Sequence, residues 1–428
     1  MILGRNARSE IRSAAAATPD HTYPQPPPFA APVPWSTSLK ITHPESLTPA
    51  ASQQPDWAED PELAVTRRRL AARPPLTRIQ DIDRLRTLLG RVAEGKDRVI
   101  VAGDCAEDPG ECAPGDVDEK DALVRALAGV MERTTGRDVV RAGRIGGQFA
   151  KPRSSSTERV GGVELPAYRG HMVNSPEPVH ALRLPDPAHM LSCYASAEKV
   201  IAHLWGEQRQ DTHRTGGPLW TSHEALLLDY EIPMIRTSDD RREFLSSTHW
   251  PWIGDRTRAP EGNHTTVLAR IANPVACKVG PSCTVPELLE VCRRLDPGRE
   301  PGRLTLVARM GAGRAPAHLA GLVRAVRNAG HPVIWLSDPM HGNTTRTSDG
   351  LKTRYMESVL QEVREFQELV DAEGGVPGGL HLETTPENVT ECVTAPSQAH
   401  RAGDRYTSLC DPRLNPAQAI AVASAWYR

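Results

Sequence analysis

The sequence predicts a closed parallel (β/α)8 barrel, on three observations. Short apolar, β-branched runs occur eight times, several are separated by helix-periodic text, and most end in polar or charged signatures. In such a barrel the C-terminal ends of the strands carry the active site, so chemistry is expected to converge there. A doubly wound sheet is the runner-up. No GxGxxG follows a strand and no Walker A sequence occurs, so neither the dinucleotide nor the P-loop form of that sheet has support.

Residues 1–55 include Pro26 to Pro28 and few periodic apolar positions, and are expected to form a mostly disordered arm. From Trp57, DPELAVTRRRLAARPPL and IQDIDRLRTLLGRVAEG have helical apolar spacing, with Pro74 and Pro75 between them, which makes 56–98 a pair of helices leading into the barrel at 99–428. The eight strands are placed in RVIVAGDCAE, VVRAGRIGGQ, PLWTSHEA, HWPWIGDRTR, PVACKVGP, LTLVARMG, PVIWLSDPMHGN and GGLHLETT. VPELLEVCRRL and AHLAGLVRAVRNAG are two of the intervening helices.

The chain has 428 residues, 39% of them hydrophobic, which is enough for one large or two modest domains. A net charge of -2, from 51 Lys+Arg against 53 Asp+Glu, leaves no excess to draw nucleic acid or an anionic membrane, so clustered cations become informative. No long apolar run or compact leader is present; a cytoplasmic protein is expected. The eight cysteines lack CxxC and CxxH spacing, against a disulfide scaffold or zinc finger. Cys193, Cys277, Cys283 and Cys292 read as core thiols, whereas Cys105 in GDCAED and Cys410 in LCDPRLN neighbour acids and suit a ligand or redox role.

Cys105 after the first strand, His341 after the seventh, Glu383 at the end of the eighth and Asp411 beyond it make a sulfur, nitrogen and two-oxygen donor set. That set suits a transition ion such as Mn, Fe, Co or Zn better than Mg or Ca. An isolated loop histidine or carboxylate is ordinarily no ligand, and it is the joint placement at strand ends that carries the reading. His381, on the same face as Glu383, is a competing ligand or a supporting group. Cations follow the same ends: Arg144, Lys151, Arg153, Arg256, Lys278, Arg309 and Lys352. Lys278 and Arg309 sit in apolar runs, where an unpaired cation is costly. Internal ion pairs account for one or two of these; the set as a whole predicts a multiply anionic ligand with phosphate and carboxylate groups. Arg258 and Arg354 are assigned a supporting or surface role.

From about Trp57 to Asn415 the motifs GDCAE, RIGGQFAKPRS, YRG, TSHEALLLDYE, WIG, RTR, ANPV, RMG, DPMHGNT, ENVTEC and CDPRLN occur in an order that closely resembles class II 3-deoxy-D-arabino-heptulosonate 7-phosphate (DAHP) synthases. The resemblance implies a (β/α)8 barrel that condenses phosphoenolpyruvate with D-erythrose 4-phosphate and water, using Mn, Co or a similar divalent metal. It implies metal ligation by Cys105, His341, Glu383 and Asp411, and phosphoenolpyruvate contacts from Arg144, Asp255, Arg256, Lys278 and Arg309. Lys151, Arg153 and Ser154 of the KPRS loop are assigned to the aldehyde and phosphate end of the second substrate, with Lys151 as proton donor to the new alkoxide and Lys352 among the substrate-side cations.

Three departures from the family pattern touch the substrate end. YRGH replaces the usual YRGD at His171, WIGD replaces WIGE at Asp255, and GNH replaces GAH at 262–264. His171 puts a possible cation where the family has an acid, which raises the alternative of an amino aldose phosphate. The link GEQRQDTHRTGGPL is short where many members carry helices for aromatic feedback inhibition, so the resemblance implies an unregulated, secondary-metabolism form and a homodimer. Cys105 and Cys410 are a candidate redox pair. A barrel that has lost catalysis and acts as a pathway partner is the reading from another class; intact candidate ligands and cations argue against it.

Overall fold

The computed structural model describes residues 51–208 and 217–428. Most of the expected Pro-rich arm, residues 1–50, and the middle of the short link, 209–216, lie outside them.

Eight strands close a parallel barrel: β1 Arg98–Gly103, β2 Val139–Arg144, β3 Trp220–Glu224, β4 Trp250–Ile253, β5 Val275–Val279, β6 Leu304–Ala308, β7 Ile334–Ser337 and β8 Val376–Glu383. Each pairs with its sequence neighbours, and β8 pairs with β1 to close the cylinder. All eight coincide with the runs anticipated from sequence. Near-continuous burial along them explains why they read as apolar runs rather than alternating ones: helices cover the outside and side chains fill the inside.

The helices are set by local chemistry. Pro61–Ala71 is capped by Asp60, whose side chain accepts from the Glu62 N–H at 2.9 Å, and Ile79–Ala93 follows after the Pro74–Pro75 break. Thr284 and Glu287 form a capping box at the start of Val285–Leu295, which buries Leu288, Val291, Cys292 and Leu295 against the barrel, the i, i+3, i+4, i+7 pattern of a one-faced helix.

Two features of β8 and its neighbours bear on the site. Gly103 stands level with Arg144 on one side and Glu383 on the other, so the ends of β2, β1 and β8 deliver their side chains at one height. The β7–β8 register slips between Trp335/Leu336, opposite Pro377 and Gly379. Gly379 has φ +151°, and a Cβ there would fall 1.7 Å from the Val99 carbonyl oxygen. Only glycine allows β8 to run against β1 at this point.

Candidate active site and metal centre

The barrel mouth gathers residues from the ends of β1, β2, β5, β7 and β8. Cys105, Glu383 and Asp411 offer a sulfur and two carboxylate oxygens that all lie within 4.8 Å of one another. His341, in the turn after β7, brings Nε2 to 3.1 Å from Glu383 Oε1. Its other nitrogen is taken: Nδ1 lies 2.7 Å from Asp338 Oδ2. That contact holds the proton on Nδ1 and leaves the Nε2 lone pair directed at the cluster, the arrangement a metal-ligating histidine needs. The four sequence-predicted ligands therefore come together, and a soft sulfur, an imidazole and two carboxylates fit a divalent transition ion. Buried Glu383 Oε2 makes no well-aligned hydrogen bond among the described residues, although Arg354 Nη2 is 2.8 Å away.

Burial alone would raise the pKa of Glu383, but His341, Lys151 and Arg354 reverse this and hold the carboxyl well below its usual range. Burial, a hydrogen bond with Cys410 and the Glu383 charge all push the Cys105 thiol up. A cation at the cluster supplies what a thiolate there requires. Both Cys105 and Cys410 are free thiols.

Cations ring the cluster. Arg144, at the end of β2, reaches Glu383 at 3.2 Å and His381 Nε2 at 2.9 Å, and is pinned by the carbonyls of Asp104 and Cys105. Lys151 Nζ lies 3.2 Å from Asp411 and 3.4 Å from Glu383. Burial disfavours its charge, yet Cys105, Glu383 and Asp411 more than offset that and raise its pKa. Lys352 pairs with Asp411 at 2.7 Å. Lys278 pairs with Asp338 at 2.9 Å, and its pKa is lowered, chiefly by burial. Arg309 meets Asp255 at 2.8 Å, while its buried Nε has no hydrogen-bond partner among the described residues.

Some expected residues stand apart. Asp255 is committed to Arg309, to Arg258 at 3.0 Å and to the Gly280 N–H at 3.0 Å, so it orients arginines rather than meeting an anion directly. Arg256 and Ser154 are exposed. Arg153 pairs with Glu158, and its N–H donates to Gln53 at 2.9 Å. His381 accepts from Arg144, stacks edge-on to Trp252 and is kept neutral by burial and by the neighbouring Lys278 and Arg144 charges, so its Nε2 is committed to supporting the cations. His171 is also neutral: burial lowers its pKa, and Nδ1 lies 2.7 Å from the Tyr168 hydroxyl. Burial therefore disfavours the possible cation at this position.

Sequence reasoning gave no role to three residues on which the site depends, Asp338, Trp252 and Glu362, and underrated a fourth, Arg354. Asp338 sits three residues before His341 in DPMH, a spacing that in hindsight marks the carboxylate–histidine pair. Arg354, assigned a supporting or surface role, is fully buried against Glu383. Trp252 lies beneath two cations, 5.1 Å from the Arg144 guanidinium and 5.8 Å from the Lys278 ammonium. Glu362, on the helix Met356–Ala372, accepts the N–H groups of Met310 and Gly311 at 2.9 and 2.8 Å and the Asn343 amide at 2.6 Å, fixing the loops after β6 and β7 together. Nothing in local spacing marks a helix carboxylate that acts across two loops.

A closed (β/α)8 barrel with a sulfur, imidazole and carboxylate cluster ringed by cations at its mouth has the architecture of a barrel enzyme with a candidate metal group at its C-terminal face. The chain belongs to the class-II DAHP synthetase family, whose model matches residues 43–214 and 202–426. It is 51% identical, over 88% of this chain and 94% of the relative, to a probable phospho-2-dehydro-3-deoxyheptonate aldolase from Pseudomonas fluorescens. It is 37% identical to the phospho-2-dehydro-3-deoxyheptonate aldolase AroG of Mycolicibacterium smegmatis, over 91% of this chain and 95% of that one. A Streptomyces coelicolor phospho-2-dehydro-3-deoxyheptonate aldolase is 34% identical, over 87% and 94%. The solved structure of phospho-2-dehydro-3-deoxyheptonate aldolase from Francisella tularensis SCHU S4 shares the fold, with a TM-score of 0.50 at 11% identity, covering 89% of this chain and 99% of that one.

Proposed function

We propose that the protein is a DAHP synthase that joins C3 of phosphoenolpyruvate to the aldehyde carbon of D-erythrose 4-phosphate, adds water at C2 and releases inorganic phosphate. The observation that carries this is the gathering of Cys105, Glu383 and Asp411 within 4.8 Å, with His341 on Glu383, in a chain of this family. When bound, a divalent ion held by these four residues supplies Lewis acidity toward the aldehyde; Mn or Co is our reading of its identity.

The remaining steps fall to the chain's own groups. Arg144, Lys278 and Arg309 approach from β2, β5 and β6, and their charges suit the phosphate and carboxylate of phosphoenolpyruvate. Holding that anion in place supplies orientation, and the same cations stabilise charge as phosphate leaves. Buried Trp252 backs two of these cations, Arg144 and Lys278, with its ring face. Lys151, charged and beside the cluster, is placed to give a proton to the alkoxide of the new bond, with Lys352 holding Asp411 in position. Arg153 and Ser154 are assigned to the phosphate of the aldose, and exposed Arg256 to phosphoenolpyruvate.

Neutral His171 supports erythrose 4-phosphate over an amino analogue, because replacing an acid by an uncharged ring removes the partner a cationic substrate would use. The helix His189–Gln208 and β3 are joined by 209–219 alone, which supports a form lacking added feedback helices, a homodimer and a role in secondary metabolism. No helix among the described residues is long and apolar enough to cross a membrane, and we assign the enzyme to the cytoplasm.

The test is phosphoenolpyruvate consumption by the Mn-loaded protein with erythrose 4-phosphate, with a chelator control and a His341→Ala control. Turnover abolished in both controls is expected. Tight Mn binding without turnover would defeat the assignment of the aldose.

A further inference from the structure

Glu107 lies two residues beyond Cys105 on the loop after β1, and its side chain is buried. Oε1 accepts the Gly146 N–H at 2.8 Å, and Oε2 accepts those of Gly147 and Gln148 at 2.8 and 2.7 Å. Its own N–H donates to the Gln148 carbonyl at 2.9 Å. Three successive amides converge on one carboxylate because Gly146 takes φ +72°, which turns the backbone into an anion-binding concavity. Gly147 completes the concavity: a Cβ there would sit 2.0 Å from His223 Nδ1. From Gln148 the connection passes to β3, since its Oε1 accepts the Glu224 N–H at 2.9 Å.

The anion in this concavity is a side chain of the chain itself, and its effect is geometric. The loop it grips runs from Arg144 to Lys151, and the loop it belongs to carries Cys105. We propose that Glu107 is a positioning residue that sets the separation between the Cys105 thiol and the Lys151 ammonium, and so aligns the proton donor with the metal-side face of the site. The proposal rests on the roles assigned to Cys105 and Lys151 above.

A carboxylate is required because three donors need two acceptor oxygens with open lone pairs. A carboxamide offers one oxygen and sets its NH2 against a backbone N–H. Arg144 is pinned separately by the carbonyls of Asp104 and Cys105. Lys151 is fixed at the far end, where its N–H donates to the Arg169 carbonyl at 2.8 Å. Releasing Glu107 therefore leaves the loop held only at its two ends: the Arg144 anchor stays in place, and the far end that carries Lys151 loses its brace to the Cys105 loop, so their separation is no longer fixed.

The experiment compares the full-length Mn-loaded protein with Glu107→Gln and Glu107→Asp, measuring kcat, KM for phosphoenolpyruvate, thermal midpoint and amide hydrogen exchange across 140–152. For Glu107→Gln we expect kcat to fall at least about tenfold with KM for phosphoenolpyruvate within about threefold, the signature of lost alignment rather than lost binding. Exchange at 146–148 should lose protection, and Glu107→Asp, which keeps both oxygens on a shorter stem, should recover part of both. Unchanged kcat in a folded Glu107→Gln protein overturns the proposal. So does a kcat loss that follows only the folded fraction with exchange at 146–148 intact. If Glu107→Gln fails to fold, Glu107→Asp is read by the same criteria. Absence of turnover in the parent protein would defeat the assigned reaction instead, and exchange at 146–148 would still report on the clamp.

Discussion

Replacing Asp338 by Asn changes a single atom in a fully buried side chain that serves four donors. Oδ2 takes His341 Nδ1 at 2.7 Å and Lys278 Nζ at 2.9 Å, and Oδ1 takes the N–H groups of Met340 and His341 at 3.1 and 3.2 Å. An Asn oxygen at the Oδ1 position still serves the two backbone amides. Its NH2 then faces Lys278 and His341, so the imidazole must accept at Nδ1 and carry its proton on Nε2, which removes the lone pair aimed at the metal cluster. Loss of such a partner typically weakens metal binding about 10–100-fold, or about 1.4–2.7 kcal/mol. Lys278 is left buried without its counter-charge, a loss of about 3–5 kcal/mol when one member of a buried pair is removed. The acid limb follows from linkage. Although burial opposes it, the contact with His341 and the charge of Lys278 depress the Asp338 pKa, so its stabilisation is present above the unfolded carboxylate range and fades as pH falls through the folded value. The gap between parent and variant should therefore narrow in acid. Chelator competition for Mn measures the first effect and urea denaturation from pH 3 to 8 the second. Parent-like Mn affinity in Asp338→Asn would refute the tautomer argument, and parent-like stability at neutral pH would refute the buried-pair argument.

Other outcomes are expected elsewhere. Burial pushes Glu362 up to about 7, so its contribution favours the fold below the unfolded pKa and is lost as pH rises toward 7; Glu362→Gln should flatten a slope of up to ~3 kcal/mol across pH 5–8 in denaturant titrations. Its Asn343 contact will suffer, because Asn343 Oδ1 is already used by the Ala312 N–H at 2.9 Å and the amide cannot turn freely. Gly379→Ala combines a left-handed backbone with overlap on the Val99 carbonyl, and should cost more than about 3 kcal/mol or prevent folding, read by expression and thermal midpoint. Mn added at a hundredfold excess over its dissociation constant should stabilise the protein by about 2.7 kcal/mol in denaturant titrations, and the increment should vanish in Cys105→Ala with activity lost in parallel.

The barrel was legible because each strand is buried on both faces and so reads as an unbroken apolar run, with its functional residue immediately after it. Cys105, His341 and Glu383 could be placed for that reason. Ion-pair commitments were not legible: that Asp255 holds Arg309 and Arg258, or that His381 serves Arg144, depends on register between strands far apart in sequence. The charge of His171 was left open by side-chain type, whereas burial beside Tyr168 disfavours it. Glu362 and Glu107 act on backbone amides of other loops, which leaves no spacing signature.

The four donor residues come from the turn after β7, the end of β8, the segment beyond β8 and the loop after β1, which meet beside the seam where the last strand closes onto the first. Cys105 and Asp411 are separated by 306 positions. A ribosome must therefore release the chain past Asp411 before the cluster can exist, and contacts of very long sequence separation are the ones that assemble it. During synthesis Cys105 and His341 emerge as separate, weak ligands with no shared ion, and the complete set forms only once the cylinder has shut. Under the proposed function, metal capture would then report on successful folding: a chain that stalls open offers no complete donor set, and one that closes presents it across the paired seam of β8 and β1.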